Sequence, residues 1–468
     1  MNIIAFSINP LFPDRVMGGA PKHLQNIAIH LGEQGHRVDV LCTGADGSRT
    51  PFQWHENVSV RPVLPFKQPF PQPYDVPAYQ LAAALQDVGA ALATADRFYM
   101  HDGEFLFPYA YAHTPTVVSL RDSVYPETQL GAFLFQGDAL ITISEHSRQY
   151  YLQTAGRFFP ELADRTIVIH NGLDWDVFRP TPPGEILSIV PVDPAQHAIV
   201  LHPHRPEPSK GLPQTVAVAD QLVHRYGIVN LRVLVPRWLA AGQGSEVREF
   251  YGAMEREIAE RGLVEHFVFH DWIPQRLMPE YYSLGQVTLS LGSFVESFGN
   301  AVYESLGCGT LSIAARVATH RELLPDHLLD KVHFGDHDAA ATLAADILRG
   351  RRTPAPDVRP YLATHYGIER QLAAYADAIL GAQRRGPLAY RLPLSGVTTR
   401  WALAPWCYCW SGGVYHDYLA QHRSLPALVA LLDGAPAGFS LADAQSAGVS
   451  VAEIDGWQRD GYIVPHQG

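Results

Sequence analysis

Two glutamates eight residues apart, Glu296 and Glu304, mark the run Ser293-Phe294-Val295-Glu296-Ser297-Phe298-Gly299-Asn300-Ala301-Val302-Tyr303-Glu304. A helix starting near Gly299 aims its free N–H groups at whatever Glu296 contacts. Two helical turns would carry Glu304 near the same side, where a carboxylate can accept two vicinal hydroxyls such as a ribose diol. Arg205 and Lys210 flank a proline-containing turn that ends in Gly211, in a chain with few lysines. Cations at the mouth of a strand suit phosphate oxygens. Gly18-Gly19-Ala20 falls between a first strand and a first helix. A loop without Cβ atoms there lets backbone N–H groups approach a diphosphate. His101-Asp102 follows a strand and should face a cleft from its carboxyl end. Each of these also has a plain structural reading: a surface helix with two unrelated glutamates, a solvated turn, a tight Gly-Gly connection, a histidine beside a helix-capping aspartate. The G-x-G-x-x-G spacing of dinucleotide binding is absent.

The elements that must carry these groups follow from length and periodicity. A chain of 468 residues is too long for one ordinary core, which predicts two domains and an appendage. Apolar residues at 47% and charged residues at 18% suffice for sizeable cores. The formal charge is −12, and the only basic clusters, Arg349, Arg351, Arg352 and Arg384, Arg385, read as solvated helix ends. Nucleic acid and anionic membrane surfaces are therefore not expected partners. Met1 to Ile8 reads as a first strand rather than a signal peptide, and no run of about 18 apolar residues follows. Four cysteines make no disulfide framework, and Cys407 with Cys409 is the only close pair. A cytoplasmic location without a zinc site is the expectation.

Short β-rich runs alternate with helical patterns, the signature of parallel α/β sheets. Residues 1–180 hold strands at Ile3 to Ile8, Arg37 to Cys42, Val58 to Leu64, Arg97 to Met100, Thr116 to Leu120, Ala139 to Ile143 and Thr166 to Ile169. Leu24, Ile27, Ala28 and Leu31 recur at helical spacing before Gly35. Pro65 to Pro77 contains five prolines and reads as an extended loop. After the linker Pro180-Thr181-Pro182-Pro183, residues 181–385 carry strands at Ala198 to Leu201, Leu231 to Val235, Phe267 to Phe269, Val287 to Leu291 and Thr310 to Ala314. Their last helix, Gln371 to Arg384, either closes this domain or returns to the first. Two doubly wound domains leave a ligand cleft between facing strand ends.

Taken together and in order, these motifs resemble the retaining glycosyltransferases of family 4, which have the GT-B fold. The resemblance covers nearly all of residues 1 to 385. Gly18-Gly19-Ala20-Pro21-Lys22-His23 looks like that family's glycine loop, and Ile141-Thr142-Ile143-Ser144-Glu145-His146-Ser147 like its strand-to-helix signature. His170-Asn171-Gly172-Leu173-Asp174 with Phe178 and Pro180 is similar to its hinge, Arg205 with Lys210-Gly211 to its donor-phosphate pair, and Glu296 with Glu304 to its E-x7-E motif. His204 and Gly292 depart from it, standing where Gly and Pro are usual.

The resemblance implies transfer of a sugar from a nucleotide diphosphate donor, a UDP-sugar favoured, with no cofactor and no metal. It implies that Glu296 holds donor-sugar hydroxyls, that Phe298, Gly299 and Asn300 offer backbone donors, that Glu304 takes the ribose, and that His101 contacts the sugar. Gly18 and Gly19 would meet the diphosphate, and the turn His270 to Pro274 would border the base. The two Asp-x-Asp runs, Asp174-Trp175-Asp176 and Asp336-His337-Asp338, read as solvated carboxylates. The acceptor is open among a natural product, a peptide and a small metabolite. The alternative is a non-catalytic nucleotide- or sugar-binding protein of the same fold. Residues 386–468 lie outside the resemblance. Beyond Trp401 to Trp410 they read as three short helices, capped at Ser440 and Ser450 for the second and third, and a final strand. This predicts a small, mostly helical module similar to a winged helix, serving acceptor or partner docking and anchored on the catalytic domains by its tryptophans.

Overall fold

The computed structural model describes residues 1–16, 18–44, 49–66, 76–103, 107–237, 245–393 and 399–466; most of the expected Pro65–Pro77 loop lies outside them. Unbroken apolar runs such as Ile3-Ile4-Ala5-Phe6 suit strands covered on both faces. Eight strands form the first sheet, in the spatial order Phe52–His55, Val58–Leu64, Arg37–Thr43, Asn2–Pro10, Arg97–His101, Thr116–Leu120, Ala139–Thr142, Thr166–Val168. All neighbours pair in parallel except the edge strand Phe52–His55, which forms a tight hairpin with Val58–Leu64. That strand was missed because Phe52-Gln53-Trp54-His55 is barely buried and offers no unbroken apolar run. Helix Gly19–Glu33 buries Leu24, Ile27, Ala28 and Leu31, the face expected of it.

Six parallel strands form the second sheet, in the order Phe267–His270, Leu231–Pro236, Ala198–Leu201, Val287–Ser290, Leu311–Ala315, Asp330–Val332. Asp330–Val332 was also missed, since its charged start carries no apolar signal. Lys331 is accommodated there by donating to the carbonyls of Arg321 and Leu324. Apolar clusters line both faces of this sheet.

The chain passes between the two units twice, and the two crossings touch. Leu173 N–H donates to Tyr366 O, and Ile368 N–H donates back to Leu173 O. A Cβ on Gly172 would stand 2.6 Å from Gly367 O, so the approach requires glycine. Helix Ile368–Gly381 then returns to the first unit, where Tyr375, Ala376 and Ile379 pack with Leu24, Ile27 and Tyr99.

The C-terminal segment is not mostly helical. Its aromatic stretch supplies strands Arg400–Leu403 and Cys407–Trp410, because Trp and Tyr side chains pack well on pleated surfaces. Arg400–Leu403 pairs with Phe439–Ser440 and Ile463–His466, while Cys407–Trp410, Gly413–His416 and Gln421–Ser424 form an antiparallel meander. Helices Pro426–Gly434, Leu441–Ser446 and Val451–Arg459 complete the segment, the last two opened by capping boxes at Ser440 and Ser450. Trp406 packs edge-on against Tyr150, and Trp410 stacks on His333. No helix among the described residues is long and apolar enough to cross a membrane.

Candidate functional site

The strand ends of the two sheets face a cavity of about 250 Å³. Its second-domain side begins at the turn Pro208–Lys210. Gly211 follows with φ 91°, opening helix Leu212–His224. A Cβ on Gly211 would stand 2.5 Å from Gly292 N, and one on Gly292 would run into the Ser209 carbonyl. Two glycines therefore let the turn lie directly on the loop after strand Val287–Ser290, which accounts for Gly292 where Pro is usual. That contact places the Lys210 ammonium 2.7 Å from Glu296 and 3.3 Å from the Phe294 ring centroid. Burial would raise the Glu296 carboxyl, but Lys210 holds it at about 2. Glu296 is thus a carboxylate at any working pH.

Arg205 reaches across the cleft, donating to Tyr125 Oη at 3.1 Å and pairing with Glu207 at 3.3 Å. His204, where Gly is usual, turns inward instead, its Nε2 3.1 Å from both Leu289 O and Ser290 Oγ. Gly299, at φ 82°, opens helix Asn300–Gly307, and a Cβ on it would overlap the His320 ring. The N-terminus of helix Gly19–Glu33 meets this one from the other domain: a Cβ on Gly19 would stand 3.3 Å from Asn300 Nδ2. Two sets of free N–H groups thus converge on one cavity also lined by Arg121, Arg205 and Lys210. Ser297 Oγ, buried on the same wall, has no protein partner among the described residues.

Of the residues singled out from sequence, Gly19, Arg205, Lys210, Glu296, Phe298, Gly299 and Asn300 line this cavity. Gly18, His101 and Glu304 do not. Gly18 stands just before the helix at φ 101°. His101 is 1% exposed, its Nδ1 2.5 Å from Tyr99 Oη and its Nε2 2.9 Å from Ala20 O. Burial and the nearby Arg121 keep its ring neutral, so it fixes the glycine loop from beneath rather than facing the cleft. Glu296 and Glu304 are not two turns apart on one helix, because the chain is helical only from Asn300. Glu304 instead accepts from Tyr282 Oη at 2.7 Å, and burial raises its carboxyl to about 7.

On the first-domain wall the quoted motifs supply Gly19, Ala20, His23, Ile143 and Asn171, and His101's neighbour Asp102, but Arg121, Asp122 and Tyr125 were missed. Asp102, Arg121, Asp122 and Tyr125 line it, at and just beyond the carboxyl ends of strands Arg97–His101 and Thr116–Leu120. The strand-end rule that selected His101 would also have selected Arg121 and Asp122. Asp102 occupies the left-handed region at φ 63° and accepts from Asn9. Burial, then the neighbouring Asp122, pushes its carboxyl up to about 8. Asp122 Oδ1 accepts from Val124 N, Tyr125 N and Thr128 Oγ1, shaping the turn into helix Pro126–Leu134. Arg121 donates to Tyr375 Oη and to Asn171, and Asn171 donates to Asn300 across the domains. Both Asp-x-Asp runs support local turns: Asp174 accepts from Asp176 N, and Asp336 caps helix His337–Leu348.

Two doubly wound parallel sheets facing a cleft, with cations and helix N-termini aimed into it, define a GT-B architecture. The chain belongs to the family 4 glycosyltransferases of that fold: the description Glycosyltransferase Family 4 matches residues 17–177, and Glycosyl transferases group 1 matches residues 190–354. It is similar to the D-inositol 3-phosphate glycosyltransferase of Xylanimonas cellulosilytica, 26% identical over 235 residues, which are 48% of this chain and 53% of that protein. It is also similar to the GDP-mannose-dependent alpha-(1-6)-phosphatidylinositol monomannoside mannosyltransferase of Mycolicibacterium smegmatis, at 24% over 225 residues, 47% of this chain and 55% of that one. The chain spans about half the length of the curated relatives it matches. Among solved structures, sucrose-phosphate synthase from Thermosynechococcus elongatus superposes with TM-score 0.64 at 17% identity, over 80% of this chain and 97% of that one. Anabaena HepE in complex with UDP and glucose gives 0.64 at 20%, over 82% and 100%.

Proposed function

We propose that this chain is a retaining glycosyltransferase that moves a sugar from a nucleotide diphosphate sugar, a UDP-sugar favoured, onto an acceptor hydroxyl. The observation that carries the reading is the convergence of Arg205, Lys210 and two helix N-termini on the cavity bordered by Glu296. In the reaction the bond from the anomeric carbon to the diphosphate oxygen breaks. The acceptor oxygen bonds to the same face of the sugar, and its proton passes to the leaving diphosphate. Charge growing on that diphosphate is met by the two cations and the N–H groups of the two helices, groups already held in place before reaction. The Glu296 carboxylate accepts hydrogen bonds from sugar hydroxyls, Ser297 Oγ donates or accepts one, and Phe298, Gly299 and Asn300 add backbone N–H groups. His101 acts through the Ala20 carbonyl by fixing the glycine loop.

Glu304, bonded to Tyr282, takes the ribose hydroxyls, and the turn after strand Phe267–His270 borders the base. UDP is favoured because HepE is described with UDP and UDP-glucose; a guanosine donor is the competing choice, since one relative is named for GDP-mannose. The acceptor approaches from the wall of Asp102, Arg121, Asp122 and Tyr125. A cytoplasmic setting suits four free cysteines, three of them buried. The test is a panel of uridine, guanosine and adenosine diphosphate sugars incubated with the purified chain, followed by calorimetric binding of each nucleotide and release of free diphosphate without acceptor. Binding of one nucleotide with slow donor hydrolysis is the expected result; binding without hydrolysis of any matching donor would leave a carrier rather than an enzyme.

A further inference from the structure

The C-terminal meander lies against both walls of the cleft. Asp417, on the link between strands Gly413–His416 and Gln421–Ser424, is fully buried in a chain region outside both matched families. Its two oxygens accept from Arg321 Nη1 at 2.7 Å and Nη2 at 2.8 Å, and the Ala318 N–H also donates to it. The turn Ala318–Arg321 starts at φ 48°, a conformation an alanine adopts only where its surroundings enforce it. Thr319, inside that turn, donates its Oγ1 to the Glu296 carbonyl at 2.9 Å. Tyr415 packs in one cluster with Val295 and Ala318, the residues preceding Glu296 and Thr319. Asp417 is thus linked to the backbone of Glu296 through the turn Ala318–Arg321.

The next residue reaches the other domain. Tyr418 donates its hydroxyl to Ser123 Oγ at 2.8 Å, and its ring stacks on Tyr150 with centroids 4.9 Å apart. Ser123 is buried and directly follows Arg121 and Asp122 on the first-domain wall. Adjacent residues of one short link therefore hold the donor loop through Arg321 and the opposing loop through Ser123.

We propose that the meander is a brace of the cleft, with Asp417 and Tyr418 as positioning residues that set the donor loop at Glu296 and the facing loop at Asp122 to Tyr125 relative to one another. The role rests on the glycosyltransferase reading for its effect on turnover, and on geometry alone for its effect on the two loops. Neither side chain lines the cavity, so nucleotide binding by Lys210, Arg205 and the helix ends should survive their loss. Misplacement of reacting groups by about 1 Å lowers turnover by about a hundredfold.

The experiment uses the full chain and two variants, Asp417→Asn and the nearly isosteric Tyr418→Phe. Three quantities are read: UDP affinity by calorimetry, turnover of the best nucleotide sugar, and backbone hydrogen exchange. The brace predicts UDP affinity within about threefold of the parent and kcat lower by about tenfold or more. It also predicts faster exchange at residues 293–299 in Asp417→Asn and at residues 121–125 in Tyr418→Phe. Unchanged exchange at those segments in both variants overturns the brace, as does turnover equal to the parent's in both. A purely structural role would lower the melting temperature while leaving kcat untouched well below it. If the parent turns over no nucleotide sugar, the enzyme reading fails, and the exchange data alone decide the brace.

Discussion

The Lys210 ammonium sits 2.7 Å from the Glu296 carboxylate, so the cation proposed to meet the phosphates is paired with the carboxylate proposed to hold the sugar. A diphosphate entering the cleft must compete with Glu296 for that charge, and the two substitutions should therefore differ. Lys210→Ala should weaken UDP binding by about tenfold or more and lower turnover by about 100-fold, as for loss of one preorganised charge donor. Glu296→Ala should lower turnover comparably while leaving UDP affinity equal or higher. Calorimetry beside steady-state kinetics reads both, and weaker UDP binding in Glu296→Ala would refute the assignment.

Two carboxyls of the cleft respond to pH in opposite directions. Glu296 is held below its ordinary value, so its contribution to stability is present above that value and is lost only as pH falls through about 2. Asp102 is raised to about 8, so its contribution is full below the ordinary aspartate value and is lost as pH rises toward 8. Asp102→Asn, which keeps a side chain tolerant of φ 63°, should be progressively more stable than the parent from pH 5 to pH 8.5. Melting temperatures across that range test it; a constant gap would mean that Asp102 titrates normally.

Gly292→Ala should displace the Lys210 turn. The added Cβ runs into the Ser209 carbonyl and comes 2.7 Å from the Lys210 carbonyl carbon, so backbone must move. The expected loss is about 1–3 kcal/mol of stability, with UDP affinity reduced as well. Gly434→Ala, where nothing lies within 4 Å of the new Cβ, serves as the control. Equal affinities in both variants would show that Lys210 reaches its position by another route.

Chelation should leave activity intact. In the proposed reaction cations and helix N-termini meet the diphosphate, and both Asp-x-Asp runs are committed to local turns. Donor hydrolysis in EDTA should equal the untreated rate; a loss restored by magnesium or manganese would require a different account of the leaving group.

The elements and the second-domain side of the cavity are legible in the sequence. Alternating apolar runs and helical periods located all but the two short edge strands of the large sheets, because local burial imposes a local period. Lys210 with Gly211, and Glu296 with Gly299, were legible because the glycines that shape each turn sit beside the groups they place. The tertiary structure decided the rest. Asp102, Arg121, Asp122 and Tyr125 meet Arg205 only once two sheets face each other, and nothing in the spacing of Arg121 and Arg205 records that approach. The strand-end position of His101 points to the cleft, but Tyr99 and Ala20 occupy both its nitrogens. The aromatic run Trp401 to Trp410 has strong β propensity but too short a period to show its pairing. That Asp417 lies beneath Arg321, 96 residues away, is fixed by packing among three parts of the chain. Local periodicity carries no trace of such a contact, because burying the Asp417 carboxylate costs free energy that the Arg321 guanidinium, a neighbour in the finished fold alone, offsets.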